Sequence, residues 1–221
     1  MDSIRITALA LVALVAACES RNPVAAGRPL ASLQVVNGAA GGAVNLLLDG
    51  QVVVANVASG SYGLGTVSAG THLLETRRVT GGVAGLQRSI TLDSGDTHTI
   101  VVIDSSSVLN PYDLTDTNAI VPPGASKLRV AHFASAAPAI TIRRTQPDWA
   151  TPIEIMIPFP YRAVSPYMQS TPGAWSVIVS HGGQADTLAS TGSISVGDGQ
   201  RRTVVLVDDP AGGIRLLVLD P

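Results

Sequence analysis

The sequence predicts an all-β protein of two tandem sandwiches carried behind an N-terminal export segment. Three observations lead there. Short β-branched runs alternate with polar residues at period two, as in Val44, Leu46 and Leu48 or Ile140 and Ile142. The 22 glycines and 14 prolines interrupt the 221 residues too often for long helices. Three strand-like segments recur in the same order far along the chain, which is the signature of an internal repeat.

Residues 1–17 have the layout of a secretory signal: Arg5 in a short basic region, an apolar run from Ile6 to Ala17, then small residues. As a helix that run spans about 18 Å, short of the roughly 30 Å hydrocarbon core, so a signal is expected rather than a transmembrane helix. The segment Leu14-Val-Ala-Ala-Cys18 resembles a lipobox, from which Asp2 departs by offsetting part of the expected positive charge. By that resemblance Cys18 becomes the lipidated N-terminus. Several acyl chains, at about 0.8 kcal/mol per buried methylene, hold a protein on a membrane stably. Residues 18–31, rich in Pro, Gly and Ala, then read as a flexible tether. The absence of Asp directly after Cys18 resembles the outer-membrane sorting pattern of some bacteria.

The first sandwich is expected over 32–109. Asp49-Gly50 between two apolar runs predicts a two-residue hairpin, and Gly95-Asp96 a turn before the strand Thr99 to Asp104. Residues 110–126, with Pro111, Pro122, Pro123 and Gly124, are expected to form the linker, and Val108 and Leu109 a closing edge strand. The second sandwich is expected over 127–221. Leu33-Gln-Val-Val-Asn37 aligns with Leu128-Arg-Val-Ala-His132, Ser68 to Leu74 with Thr171 to Val177, and Thr99 to Asp104 with Thr203 to Asp208. The growing offset is what duplication followed by loop insertion produces.

These segments resemble a known family. "LRVAHFASAAPAITI" and "LQVVNGAAGGAVNLLLDGQVVVANVASGSYG" are similar to the opening of the bacterial domain of unknown function 4397, and "VSAGTHLLE" to its Pro/Ala-Gly turn. The resemblance covers roughly 32–109 and 127–220. It implies tandem immunoglobulin-like antiparallel β-sandwich domains, extracytoplasmic and often lipid-anchored, and it implies no activity. The second unit departs from the pattern by lacking the Asp-Gly hairpin and carrying a longer insert.

Composition excludes several function classes. Charged residues make up 14% of the chain, the net charge is −2 and no basic block exists, so nucleic acid is not an expected partner. One cysteine cannot build a disulfide framework or a multi-thiolate metal site. The histidines, His72, His98, His132 and His181, never fall at zinc-binding spacing. Asp113, Asp116 and Asn118 lack the turn glycine and distal glutamate of a calcium loop. Ser59-Gly-Ser-Tyr-Gly63 misses the first glycine of a nucleophile elbow. No catalytic residue, metal or cofactor is therefore expected, and a hydrolase is disfavoured. His132, standing where the first unit has Asn37, is expected to make a structural hydrogen bond.

The candidate binding surface is the insert of the second unit, with Trp149, Phe159, Tyr161 and Tyr167 among Pro147, Pro152, Pro158, Pro160 and Pro166. Prolines lower the ordering cost of binding and aromatics supply contact area. The alternative is that these rings pack inward between the units. The expectation is a non-enzymatic envelope lipoprotein serving binding, adhesion or structure, with an envelope protein or polysaccharide as partner. The runner-up is a carbohydrate-binding module that uses the aromatic insert.

Overall fold

The computed structural model describes residues 29–81, 84–105, 108–115, 120–137, 139–145, 153–184 and 186–220. Cys18, the leader and the tether lie outside them. The described residues form strands and turns. The first unit contains β1 (Leu30–Asn37), β2 (Val44–Leu48), β3 (Gln51–Val57), β4 (Ser61–Ser68), β5 (Gly70–Arg78), β6 (Arg88–Leu92), β7 (Thr97–Ser105) and β8 (Val108–Thr115). The second contains β9 (Ser126–Phe133), β10 (Ala139–Thr145), β11 (Ile153–Pro160), β12 (Met168–Ser170), β13 (Gly173–His181), β14 (Ala189–Ser190), β15 (Ile194–Val196), β16 (Arg201–Asp208) and β17 (Ile214–Leu219).

Each unit is a two-sheet sandwich, and the sheets correspond strand for strand. One sheet runs β4-β1-β7-β8 in the first unit and β12-β9-β16-β17 in the second. The other runs β3-β2-β5-β6 in the first and β11-β10-β13-β14 in the second, with β15 pairing β13. Pairing is antiparallel except for β1 with β7 and β9 with β16, which are parallel. Parallel neighbours need a long crossover, and here the whole opposite sheet intervenes in sequence.

The predicted parity holds. Val44, Leu46 and Leu48 join Leu33, Val35, Ile100 and Val102 in the first core, while Ile140 and Ile142 join Leu128, Val130 and Trp175 in the second. Asp49 and Gly50 have φ of 51° and 78°, the left-handed pair of a type I′ hairpin linking β2 to β3. Gly63 and Gly65 let β3 approach β4 closely, because a Cβ at either would meet a Val54 methyl at 2.8 Å.

A third apolar layer joins the units. Val36, Val101 and Ile103 project from the far side of the first unit's central sheet, and meet Ala131, Phe133, Val205 and Val207 from the second. The central strands are thus buried on both faces, as the runs of buried residues along β7 and β16 record. The molecule is a stack of four sheets with three apolar layers between them. Tyr112 of β8 lies against Phe133 of β9, ring centroids 5.2 Å apart, and Arg215 Nη1 donates to Gly60 O across the seam at 3.2 Å.

One boundary moves. The linker expected over 110–126 gives up Asn110 to Thr115, which continue β8 against β7, and Ser126, which opens β9. Pro111 marked that stretch as linker, but β8 is an edge strand, where proline is tolerated.

Candidate functional site

The aromatic insert is built on β11, β12 and the turn between them. After Pro160 the chain makes a kinked second approach to β9: Arg162 adopts φ 68°, its N–H donates to His132 O at 2.7 Å, and His132 N–H donates to Ala163 O at 2.9 Å. This break leaves β12 with three residues where its counterpart β4 has eight. The insert's side chains therefore fold back over the start of the second unit.

Three of the four predicted rings are described, and they do not form one exposed platform. Phe159 is 6% exposed within the second core and stacks on the His132 imidazole at 6.2 Å. Tyr161 meets the same imidazole edge-on at 6.1 Å and packs against the layer between the units. Tyr167 is partly buried, shares a 2.9 Å hydrogen bond with Thr203 Oγ1, and carries the Arg129 guanidinium 4.5 Å above its ring. Arg162 caps both Tyr161 and Tyr112 at 5.1 and 5.6 Å. Trp149 lies outside the described residues.

His132 is fully buried and holds a loop. Its Nε2–H donates to Ala137 O at 2.8 Å, and its Nδ1 accepts from Ala134 N–H at 3.4 Å, which fixes a neutral tautomer. Burial pushes its pKa below the usual imidazole value, only partly countered by the Ala137 carbonyl and the charge of Asp208. Asp208 closes the same loop, accepting from Ala136 N–H at 2.8 Å and Ser135 Oγ at 2.7 Å. In the first unit Asp104 does likewise for Ala40 N–H at 2.9 Å and pairs with Arg78.

The other three histidines each sit beside an aspartate: His72 Nδ1 with Asp49 at 2.7 Å, His98 Nδ1 with Asp113 at 3.2 Å, and His181 Nδ1 with Asp186. Asp49 reaches His72 of β5 from the β2–β3 turn, and His98 and Asp113 face each other from β7 and β8, so sequence spacing held no sign of either couple. In the first, Leu73 N–H and then His72 hold the Asp49 carboxyl below its ordinary range, and His72 Nε2 bonds Ser68 O at 2.9 Å. With both ring nitrogens engaged, that imidazole serves the hairpin. Among the described residues no three His, Cys, Asp or Glu side chains converge as metal ligands, and no helix is long and apolar enough to cross a membrane.

An open cleft of about 600 Å³ lies elsewhere, at the start of β1. Ser32, Gln34, Leu64, Thr66, Thr97 and Asp220 line it. Gln34 is buried there, donating to the Asp220 carbonyl and accepting from Thr99 Oγ1 at 3.4 Å. Nothing in the sequence marked this cleft, because its residues come from both units.

A family model described as "Domain of unknown function (DUF4397)" matches residues 31–143, just over half of the chain. The chain belongs to that family. The match takes in the first sandwich and the first two strands of the second. No curated protein matches. Among solved structures, the Bacillus anthracis TIE protein is 10% identical with TM-score 0.28, covering 81% of this chain and 34% of its own. The CBM26-family module CBMbc of Eubacterium rectale Amy13K, solved with maltoheptaose, is 9% identical with TM-score 0.26, covering 87% and 98%. A leucine-rich repeat protein of Bacteroides thetaiotaomicron is 12% identical with TM-score 0.23, covering 79% and 25%. This chain spans about a third of the first of these, and at such TM-scores the likenesses carry no functional argument.

Proposed function

We propose that this protein is a non-enzymatic lipoprotein of the cell envelope, held on the outer membrane through Cys18, and serving as a binding, adhesion or structural module. The observation that supports this reading is how its polar side chains are spent. His132, Asp104 and Asp208 secure the loops after β1 and β9, and Asp49 with His72 secures a hairpin. Groups held this way stabilise a scaffold, and their ring nitrogens and carboxylates are engaged by the protein itself. The apolar layer between the units adds rigidity, which suits a body that presents surfaces rather than one that closes over a substrate. The reading is tested by the mass of the mature N-terminus in membrane fractions, comparing wild type with Cys18→Ser. An acylated Cys18 in the membrane, and a released variant, support it. An unmodified soluble chain cut elsewhere overturns the anchor.

A further inference from the structure

Among the described residues the sheet edges are guarded, with one exception. Unpaired edge strands invite other strands, and proteins blunt them with charge, proline, bulges or brevity. Strand β8 carries Pro111 and Asp113, β17 carries Arg215, and β6 carries Arg88. Strand β3 pairs through register shifts and has Asn56 at φ 54°. β12, β14 and β15 are three, two and three residues long, and β11 carries Pro158 and Pro160 and pairs through register shifts. Strand β4, Ser-Tyr-Gly-Leu-Gly-Thr-Val-Ser, has eight residues, an unbroken register with β1, and neither charge nor proline. Its repeat counterpart is the segment that the kink at Arg162 and the prolines of the insert break up, so the same position is closed in one unit and open in the other.

The exposed face of β4 points to what covers it. Tyr62 is 44% and Leu64 66% exposed. They stand beside Val36 and Gln34 on the face that builds the layer between the units. They thus continue an existing apolar interface past the reach of the second unit. The strand is also self-complementary. Antiparallel pairing about a two-fold axis through Leu64 sets Leu64 on Leu64, Tyr62 on Thr66 and Gly63 on Gly65, with every side chain kept on its own face. No like charges meet, and a ring faces a β-branched residue across the seam. Thr66 lines the open cleft, so the incoming Tyr62 arrives at its rim.

We propose that the β4 edge is a homodimer interface, at which two copies pair β4 antiparallel about Leu64 and join their central sheets into one eight-stranded sheet. The partner is a second copy of this chain. This stands apart from the lipoprotein reading, since it requires no anchor.

Charge exchange at the axis tests it. Wild type, Leu64→Lys, Leu64→Glu and an equimolar mixture of the two variants are measured as full chains by sedimentation equilibrium in density-matched detergent. Leu64 is well exposed, and circular dichroism verifies that each variant folds. The expected result is a reversible wild-type dimer, association at least tenfold weaker in each variant alone, and recovery in the mixture, where opposite charges meet on the axis. A wild type monomeric at every concentration overturns the proposal and leaves β4 for a strand from another protein. A dimer that either substitution leaves intact overturns it too. Loss without recovery in the mixture overturns the Leu64-centred register.

Discussion

Asn37 and His132, one in each unit, make the same pair of hydrogen bonds with different chemistry. The Asn37 amide accepts from the N–H two residues on, Ala39, at 3.0 Å and donates to the carbonyl five residues on, Gly42, at 2.9 Å. His132 accepts from Ala134 and donates to Ala137, again two and five residues on. Both side chains are fully buried at the ends of corresponding strands. An amide needs no particular protonation state for this task, whereas an imidazole must remain neutral.

This equivalence predicts which substitutions the second unit tolerates. His132→Asn keeps one acceptor and one donor in reach of the loop and should cost under about 1.5 kcal/mol. His132→Ala leaves Ala134 N–H and Ala137 O unpartnered in the interior and empties the space beneath Phe159, for a loss of roughly 2–4 kcal/mol. Urea denaturation of the two variants measures the difference directly.

The same imidazole sets a pH dependence. Its folded pKa is lowered, so the unfolded chain takes the proton first. Stability is complete above the unfolded value near 6.5 and falls as pH drops from there toward the folded pKa, by up to about 1.4 kcal/mol per pH unit. Asp49, Glu75, Asp186 and Asp209 are lowered as well, by hydrogen bonds first from Leu73, Arg77, His181 and Ala211 respectively. Their contributions are lost only as pH falls below ordinary carboxylate values. In melting curves, the stability difference between wild type and His132→Asn should be constant above about pH 6.5 and shift in the variant's favour as pH falls below it. Parallel curves would remove His132 from the account.

The layer between the units should make them unfold as one. Phe133→Ala deletes a ring that is 1% exposed and touches Tyr112 of the other unit, and should cost about 3–5 kcal/mol. Calorimetry should show one transition for wild type and for the variant, with calorimetric and van't Hoff enthalpies equal. Two transitions that Phe133→Ala merely spreads further apart would mean that the layer couples nothing.

Close packing of β3 on β4 gives a more local prediction. In Gly65→Ala the new methyl would lie 2.8 Å from a Val54 methyl and 3.1 Å from Val53 O. Backbone cannot yield as a flexible side chain can, so a loss of about 1–3 kcal/mol is expected. Gly50→Ala is also unfavourable, but for a different reason: its φ of 78° is strained for any side chain, though the surrounding space is open. Chemical denaturation of both variants, with Gly65→Ser as a graded control, separates steric crowding from backbone strain.

Much of this architecture was readable in the residues, and the unreadable part has a physical cause. Period two placed Val44, Leu46 and Leu48 on one core face, and Asp-Gly specified the hairpin, because both signals are local. The offset alignment set Asn37 beside His132 and thereby pointed to a structural role. The middle apolar layer was harder to see. A strand buried on both sides loses its alternation, as in the run Ile100 to Ile103, and such a run does not say what covers the second face. The insert was legible as aromatic, and inward packing was one of its two readings, but the sequence could not choose between them, since the direction of Phe159 depends on the register of β11 against β10. The cleft beside Gln34 needs residues nearly the whole chain apart.

The buried middle layer also bears on how the gene can be divided. Two cores would ordinarily suggest two modules that a cloner could express apart, or that recombination could shuffle singly. Severing the chain between β8 and β9 would strip the cover from Val36, Val101 and Ile103 on one fragment and from Phe133, Val205 and Val207 on the other. Each half would carry a sticky sheet face into solution and survive only by finding its complement. In this protein the repeat is the unit of ancestry and the pair is the unit of inheritance.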